Sequence, residues 1–158
     1  MNRTVKVMKT DAKRIVSKIY TIKVSDVAKN LNTEHASLSN LSARLSSKGR
    51  PISMTKFKYQ QNTNAGMKGG QGVRAKIKKD SGFKEVNNDG RKAFVGTMRN
   101  GSSGIFIRKD SKKIKKVLSP AVTEMLNQEE AKEQIQKSAT DRFGKELNYQ
   151  INYLLTKL

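Results

Sequence analysis

The segment 93–126 constrains the fold of this chain more than any other stretch. Its first part has two apolar runs on either side of the loop sequence Arg-Asn-Gly-Ser-Ser-Gly. That loop is rich in residues that tolerate positive φ, as a hairpin turn requires. The second run, Ile-Phe-Ile, has the β-branched and aromatic composition that packs on a pleated surface. We therefore predict a β-hairpin over 93–108, with Phe94, Met98 and Phe106 in the core or in an assembly contact.

The end of the same segment predicts the start of a long C-terminal helix. Ser119 suits a helix N-cap, and Pro120 suits the first helical position, where no N–H is needed. Apolar residues then follow a helical stripe: Val122, Met125, Leu126, Ile135, Ala139, Phe143, Leu147, Ile151, Leu154, Leu155 and Leu158. We predict a helical region over 119–158, with a short first helix, a second start near 127–130, and Gly144 as a site for a kink. Pro120 and Leu126 are predicted core or assembly residues.

The N-terminal part is predicted to be helical. Apolar residues recur at three- and four-residue steps over 5–20, with lysine and arginine on the opposite face. A β-rich stretch ends this pattern, and Ser25 and Asp26 then indicate an N-cap for a second helix through Leu31. Residues 1–32 are therefore predicted to form the N-terminal helices.

The middle of the chain is predicted to be rich in strands. Residues 36–47 fit the alternation of a strand about as well as a helix, but the turn and the extended segment 52–60 that follow favour a strand. The glycine-rich stretch 60–72 is predicted to be a flexible loop. Residues 73–77 alternate apolar and basic side chains, which predicts a strand with one wet, positive face.

Two further stretches are predicted to be irregular. Residues 78–90 are rich in turn-forming residues, and 109–116 place five lysines in eight positions, which favours a solvated segment. Together these patterns predict an α+β fold with an antiparallel β-sheet core, N-terminal helices and a long C-terminal helix. We predict a single domain over 1–158, with its strand-rich core over 36–108.

The charge of the chain is strongly positive, and the excess stops where the C-terminal helix begins. Lys and Arg number 33 against 13 Asp and Glu, a net +20 at pH 7. Residues 1–60 contribute +10, 61–118 contribute +11, and 119–158 contribute −1. The positive electrostatic field of such a charge attracts nucleic acid or an acidic protein surface. Apolar residues make up only 35%, so we expect a thin core that neighbouring subunits complete.

The residue types that enzymes and metal sites need are scarce. The chain has no cysteine and one histidine, His35, and the carboxylates Glu129, Glu130 and Glu133 are predicted to lie on a solvated helix face. No ligand spacing typical of a metal site occurs, and the glycines of 66–72 match neither nucleotide-loop pattern, G-x-x-x-x-G-K-[ST] or G-x-G-x-x-G. No stretch approaches the ~20 apolar residues of a membrane span. We predict no enzyme activity, cofactor, metal, small-molecule substrate or membrane partner.

Two basic stretches are the candidate contacts with a polyanion or an acidic protein. Arg74, Lys76 and Lys78 recur at every second position, so a strand would present them on one face. A lysine run follows later in the chain: Lys112, Lys113, Lys115 and Lys116. No recognition-helix pattern or aromatic-studded RNA-binding strand accompanies them. Charge alone therefore leaves both kinds of partner open.

Taken in order, these segments resemble the minor tail protein Z family of tailed bacteriophages and prophages. Residues 2–31 resemble its N-terminal helix and short second helix, and 41–58 resemble its strand pair, with Gly49, Pro51 and Phe57 at matching places. The strongest resemblance is the hairpin sequence Ala-Phe-Val-Gly-Thr-Met followed by Gly-Ile-Phe-Ile-Arg-Lys. The sequence Leu-Ser-Pro-Ala-Val, with the Met-Leu pair after it, resembles the segment that leads into the C-terminal helix.

The resemblance implies a structural protein of the virion at the head–tail neck. It implies a tail-completion or joining subunit that assembles as a ring, with hexameric symmetry because the tail tube and neighbouring neck rings are six-fold. The implied partners are further copies of the chain, neighbouring neck and tail proteins, and DNA in the conduit. The implied location is the virion, and the host cytoplasm during assembly. The alternative that the residues leave open is a small basic DNA-binding protein of phage or host.

Overall fold

The computed structural model describes residues 1–61, 72–88, 90–110 and 113–157. They form an α+β fold, as predicted. The helices are α1 (Asn2–Ile19), α2 (Val24–Ala28), α3 (Val122–Leu126) and α4 (Glu129–Leu155). The strands are β1 (Leu31–Glu34), β2 (Arg44–Ser47), β3 (Pro51–Ser53), β4 (Lys58–Gln61), β5 (Val73–Lys76), β6 (Lys84–Asn88), β7 (Arg91–Lys92), β8 (Phe94–Thr97), β9 (Ser103–Arg108), β10 (Ile114–Lys116) and β11 (Leu118–Ala121), with a 3-10 turn at Met54–Lys56.

The chain folds into two compact units, each made of segments that are separate in sequence. Unit 1 contains Met1–Val16, Val24–Gly49 and Val122–Leu158. Unit 2 contains Ser17–Lys23 and Arg50–Ala121. The backbone therefore passes between the units four times. The single domain over residues 1–158 stays a prediction.

Unit 2 is built from antiparallel strands. One sheet has the order β4-β5-β6-β7, a second has the order β10-β9-β8, and β11 pairs with β3. The predicted hairpin is confirmed, since β8 and β9 pair with Phe94 opposite Phe106. Both larger sheets contribute to one buried apolar cluster, which contains Met54, Val73, Ala75, Ala93, Ile105 and Ile107. This cluster forms because alternate residues of β5 and β9 point to the same side of their sheets.

Unit 1 combines helices with one antiparallel strand pair, β1 with β2. The predicted N-terminal helix is confirmed as α1. Its apolar stripe is buried at Val5, Ala12, Val16 and Ile19 and half-buried at Met8 and Ile15. The second helix differs from the prediction, because Ser25 lies inside α2 and Leu31 begins β1. The side-chain amide of Asn30 donates a 2.9 Å hydrogen bond to the carbonyl of Asp26 and so closes the turn that ends this helix.

Polar contacts join α1 to α4 along the two helices. The carboxylate of Asp11 accepts 2.7 Å hydrogen bonds from the Ser138 hydroxyl and from Nε of Arg142. Nearer the start of α1, the Arg3 guanidinium lies 4.0 Å from a carboxylate oxygen of Glu146. Because residue numbers rise along one helix as they fall along the other, α1 and α4 are antiparallel.

The predicted helix start at residues 119–120 is wrong, because this segment is strand β11. Its register with β3 shifts between Ser119 and Ala121, which leaves Pro120 between the two paired positions. Proline has no N–H for a strand ladder, and an irregularity of this kind is where a sheet tolerates it. The hydroxyl of Ser119 donates a 3.1 Å hydrogen bond to the Ile52 carbonyl on β3 rather than capping a helix.

The strand predicted over 36–47 is present only at its end, as β2. The preceding residues form a local turn, in which Ser37 and Asn40 exchange backbone hydrogen bonds of 2.8 and 3.2 Å and the Asn40 side chain accepts from the Ser42 backbone at 3.1 Å. Serine and asparagine side chains compete in this way with strand pairing. Leu38 is consequently fully exposed, at 102%.

The strand pair implied by the resemblance over 41–58 also differs. β2 pairs with β1, whereas β3 pairs with β11, so the two strands lie in different sheets. The predicted strand over 52–60 is likewise interrupted by the 3-10 turn between β3 and β4.

Two stretches predicted to be irregular contain strands. The stretch 78–90 contains β6, because Val86 pairs with Val73 of β5, and the stretch 109–116 contains β10, because Lys115 and Lys116 pair with β9. Most of the loop predicted over 60–72 lies outside the described residues.

Candidate functional site

The two units differ strongly in charge. Unit 2 has 20 Lys and Arg against 4 Asp and Glu, a net +16, whereas unit 1 has 13 against 9, a net +4. Most of the field that attracts polyanions therefore originates from the strands of unit 2.

A basic face lies on the sheet of unit 2, on the side of β5 opposite the buried Val73 and Ala75. Arg74 and Lys76 share this face, as predicted. Lys58 on β4 lies directly opposite Lys76 and extends the face to a second strand. We call Lys58, Arg74 and Lys76 the basic face. Glu85 of β6 lies opposite Arg74 and offsets part of its charge.

Lys78 lies beyond the end of β5. It pairs with Tyr20 in an isolated bridge, and its Nζ lies 6.0 Å from the centroid of the Tyr20 ring. The neighbouring backbone is also paired with this segment, since Thr21 donates a 2.9 Å hydrogen bond to the Ile77 carbonyl. Lys78 therefore continues the row of cations, with an aromatic ring as its neighbour.

The lysine run does not form one face. Lys112 lies outside the described residues. Lys113 and Lys115 are exposed, and Lys116 is half-buried. Lys115 lies opposite Ile107 and Lys116 opposite Phe106, so the two neighbouring lysines point to opposite sides of the sheet.

The five predicted core or assembly residues occupy different environments. Phe106 is 3% exposed, and Phe94 and Leu126 are half-buried. Met98 is 42% exposed in the hairpin turn, and Pro120 is exposed in β11. Placing Met98 and Pro120 in the core is therefore wrong, because a turn residue and a bulged edge strand face solvent; an assembly contact stays a prediction for all five.

A second surface, on unit 1, is apolar. The predicted stripe on α4 is present, but its C-terminal half is not covered. Five residues within an arc of about 120° of the helix are each between 42% and 64% exposed: Phe143, Leu147, Ile151, Leu154 and Leu155. We call these five residues the α4 face. Tyr149 and Tyr153 are also exposed, on the side that continues the α1 contact. The sequence located this stripe but did not reveal that so much of it is solvent-accessible.

A groove beside the α4 face is lined by α1, α4 and the turn before β2. Its volume is about 460 Å³, and it is lined by Met1, Thr4, Val5, Met8, Leu41, Ser42, Ala43, Ala139, Thr140 and Phe143. None of these described residues has a charged side chain. Asn2 fixes the nearby turn, because its side chain donates a 2.9 Å hydrogen bond to the Ala36 carbonyl and accepts one of 2.7 Å from the Ala36 N–H.

Groups suited to catalysis are dispersed. His35 is exposed. Within the described residues, no three side chains from His, Cys, Asp and Glu are grouped so that they could hold a metal ion. Among the helices of that same part of the chain, none combines the length and apolar character required to cross a membrane. The features that stand out are thus the basic face of unit 2 and the α4 face and groove of unit 1.

Comparison with protein families gives a match over the whole chain. The family model described as Prophage minor tail protein Z (GPZ) matches residues 1–158. No curated protein and no solved structure matches the chain significantly.

Proposed function

This chain belongs to the family of prophage minor tail protein Z, and from that membership we propose that it is a ring-forming subunit of the head–tail neck that completes the tail and joins it to the head. The membership itself makes the chain a structural protein of the phage tail, associated with the virion. The proposal adds the position, the ring and the joining step.

The observation that carries the proposal is the uncovered α4 face. Leu154 is 61% exposed and Leu155 is 64% exposed, in a helix whose buried residue among those described is Ala131, near its start. Contiguous exposed apolar surface of this kind marks an interaction site, because leaving it in water costs free energy. A subunit that exists to contact other subunits is expected to carry such a surface.

The proposed partners follow from the two kinds of surface. Unit 1 would contact further copies of the chain, in a hexameric ring, and the neighbouring neck and tail proteins. Unit 2, with its net charge of +16, would face DNA in the conduit or acidic neighbours. Newly made subunits would wait in the host cytoplasm until they join the virion.

Quantitative mass spectrometry of purified virions, or of prophage-derived tail particles, tests this proposal. With the tail-tube protein as the internal standard for copy number, we expect about six copies of this chain per particle. Deleting the chain should leave separate heads and tails, and expression of the wild-type chain in trans should restore joined particles. A chain that is missing from joined particles would contradict the proposal.

The charge of unit 2 supports a second candidate, a small basic DNA-binding protein of phage or host. It predicts tight duplex binding that weakens steeply with salt, with a log–log slope of about −0.9 for each phosphate contact. Replacing Arg74 and Lys76 by alanine should then reduce the slope by about 2. The control replaces Lys9 and Lys137 of unit 1. Binding that is weak at physiological salt and equal in both double variants would exclude this candidate.

A further inference from the structure

The groove of unit 1 is lined by uncharged and mostly apolar side chains. Its walls carry the apolar side chains of Met1, Met8, Leu41 and Phe143, and its volume is about 460 Å³. Leu41 is 73% exposed at the rim, where a docked side chain would cover it.

The α4 face is a second uncharged apolar surface of unit 1. Its five residues are exposed and apolar, and Thr140 and Gly144 complete the arc that they occupy on the helix. The charged residues of this half of α4 lie outside that arc. A side chain at Gly144 would have no atom within 4 Å, so the glycine leaves a notch beside Phe143 and Leu147. Glycine in a helix lowers its stability, and a notch of this kind lets a second element approach the backbone closely.

Charge decides what can occupy the groove. An acidic partner would be drawn to unit 2, which carries +16, rather than to a groove without charged side chains. Two copies of the chain repel each other through their net +20, and they approach at least cost where the side chains of both surfaces are uncharged. The groove and the α4 face are such surfaces, and Phe143 is the α4-face residue that also lines the groove.

We propose that the α4 face of one copy docks in the groove of the next copy, around Leu41 and Met1. An apolar patch that fits a pocket elsewhere on the same molecule gives a head-to-tail contact, which closes into a ring when the rotation per copy permits. This inference rests on the proposed ring and names the surfaces that close it.

The available area is sufficient for such a contact. Each of the five side chains has roughly 200 Å² of surface, and about half of it is exposed. The α4 face therefore offers roughly 500 Å² of accessible apolar surface. A contact that buries a similar area of the next copy would total roughly 1,000 Å², the lower bound for a specific interface. Each copy in a ring makes this contact twice, once with each neighbour.

Self-association of the purified full chain, measured by sedimentation velocity, provides the first test. Leu154→Glu and Leu41→Glu would each place a charge in the apolar contact, and each should weaken association by more than about tenfold. Leu38→Glu is the matched control, since Leu38 is also an exposed leucine of unit 1 and does not line the groove. Unchanged association of both Leu154→Glu and Leu41→Glu would overturn the inference.

Cysteine pairs distinguish the head-to-tail contact from a symmetric one, since the chain has no cysteine of its own. Leu41→Cys and Leu154→Cys chains are mixed and treated with a short bis-maleimide. We expect crosslinked dimers only in the mixture. Crosslinking of Leu154→Cys with itself would show a two-fold α4 contact and would contradict docking in the groove. The absence of any crosslink under conditions where the chain associates would also contradict it.

The same cysteine chains, incorporated into particles, separate this inference from the proposed function. A neck ring of about six copies that gives no crosslink between Leu41→Cys and Leu154→Cys would reject the groove contact and keep the ring. A crosslinked oligomer of the purified chain that never enters particles would keep the contact and reject the neck assignment.

Discussion

At the scale of single residues, Phe106 shows how the hairpin of unit 2 is stabilised on both faces. Ile105 and Ile107 point into the buried cluster, so Phe106 points to the opposite side of β9. It is nevertheless 3% exposed, because Phe94 lies opposite, with 6.1 Å between ring centroids, and Gly104 leaves room for the ring. The sequence predicted the buried phenylalanine, but not that glycine beside it makes the burial possible.

Replacing Phe106 is expected to destabilise unit 2. Phe106→Ala should cost about 3–5 kcal/mol of unfolding free energy, and Phe106→Asp should abolish folding or assembly, because it buries an unpaired charge. Chemical denaturation followed by circular dichroism measures the unfolding free energy of Phe106→Ala. The yield of soluble protein measures whether Phe106→Asp folds. Met98→Asp, in the exposed turn of the same hairpin, should change stability by less than about 0.5 kcal/mol. A soluble, normally assembled Phe106→Asp chain would show that this side of β9 is not part of the core.

Asp11 of α1 makes hydrogen bonds to two residues of α4. It accepts hydrogen bonds from Ser138 and Arg142, and 14% of its side chain is exposed. Asp11→Ala should lower the unfolding free energy by about 1–2 kcal/mol, a value kept small because the Arg142 side chain is 48% exposed. Asp141→Ala, at an exposed position of α4, is the control for removal of a negative charge from this region. Equal thermal midpoints for the two variants would contradict the assignment of Asp11.

At the scale of elements, the long helices were predictable and several of the short strands were not. α1 and α4 carry several turns of 3.6-residue periodicity, which few other arrangements produce. β6 has one inward apolar residue, Val86, so its sequence alone resembles a turn, and only pairing with β5 makes it a strand. A serine followed by Pro120 is typical of a helix start and of a bulged edge strand alike. The hydrogen bond from Ser119 to β3 favours the strand over the helix start. That contact joins residues far apart in sequence, so the sequence does not reveal it.

Two glycines in different elements should respond in opposite ways to alanine. A Cβ at Gly104 on β9 would lie 3.0 Å from Cζ of Phe106, so Gly104→Ala should displace this ring and cost about 1–3 kcal/mol. A Cβ at Gly144 on α4 meets no atom within 4 Å, so Gly144→Ala should stabilise the monomer by up to about 1 kcal/mol. Thermal unfolding of both variants, at concentrations where the chain is monomeric, measures the difference. A destabilised Gly144→Ala monomer would mean that the helix needs its glycine for a reason within the chain.

At the scale of the whole molecule, charge and apolar surface are separated between the two units. The sequence predicted part of this, because the positive excess stops before α4 and the apolar stripe continues to its end. It did not predict the groove, because Met1, Leu41 and Phe143 are brought together only by the antiparallel contact of α1 with α4 and by the turn that Asn2 holds. Contacts between residues more than 100 positions apart leave no local pattern in a sequence.

This separation predicts opposite effects of salt on the two kinds of contact. Raising NaCl from about 50 to about 300 mM should strengthen self-association, because salt screens the repulsion between chains of net charge +20 while the uncharged contact persists. Binding to duplex DNA should weaken over the same range, because phosphate contacts release counterions. Sedimentation and fluorescence anisotropy at matched salt concentrations measure the two trends. Self-association that weakens with salt would place charged residues in the contact.

The discontinuous make-up of unit 1 has a consequence for synthesis on the ribosome. Translation delivers Met1–Val16 and Val24–Gly49 early, but their partner segment, Val122–Leu158, emerges only after the whole strand region of unit 2. Unit 1 therefore cannot be completed while the strands are being made, and domains form in the order in which their last residues become available. Because the α4 face follows the strands of unit 2 in the chain, nascent chains on one messenger RNA cannot associate through it until those strands have been made. The order of the segments thus delays association through the α4 face until the strand region exists.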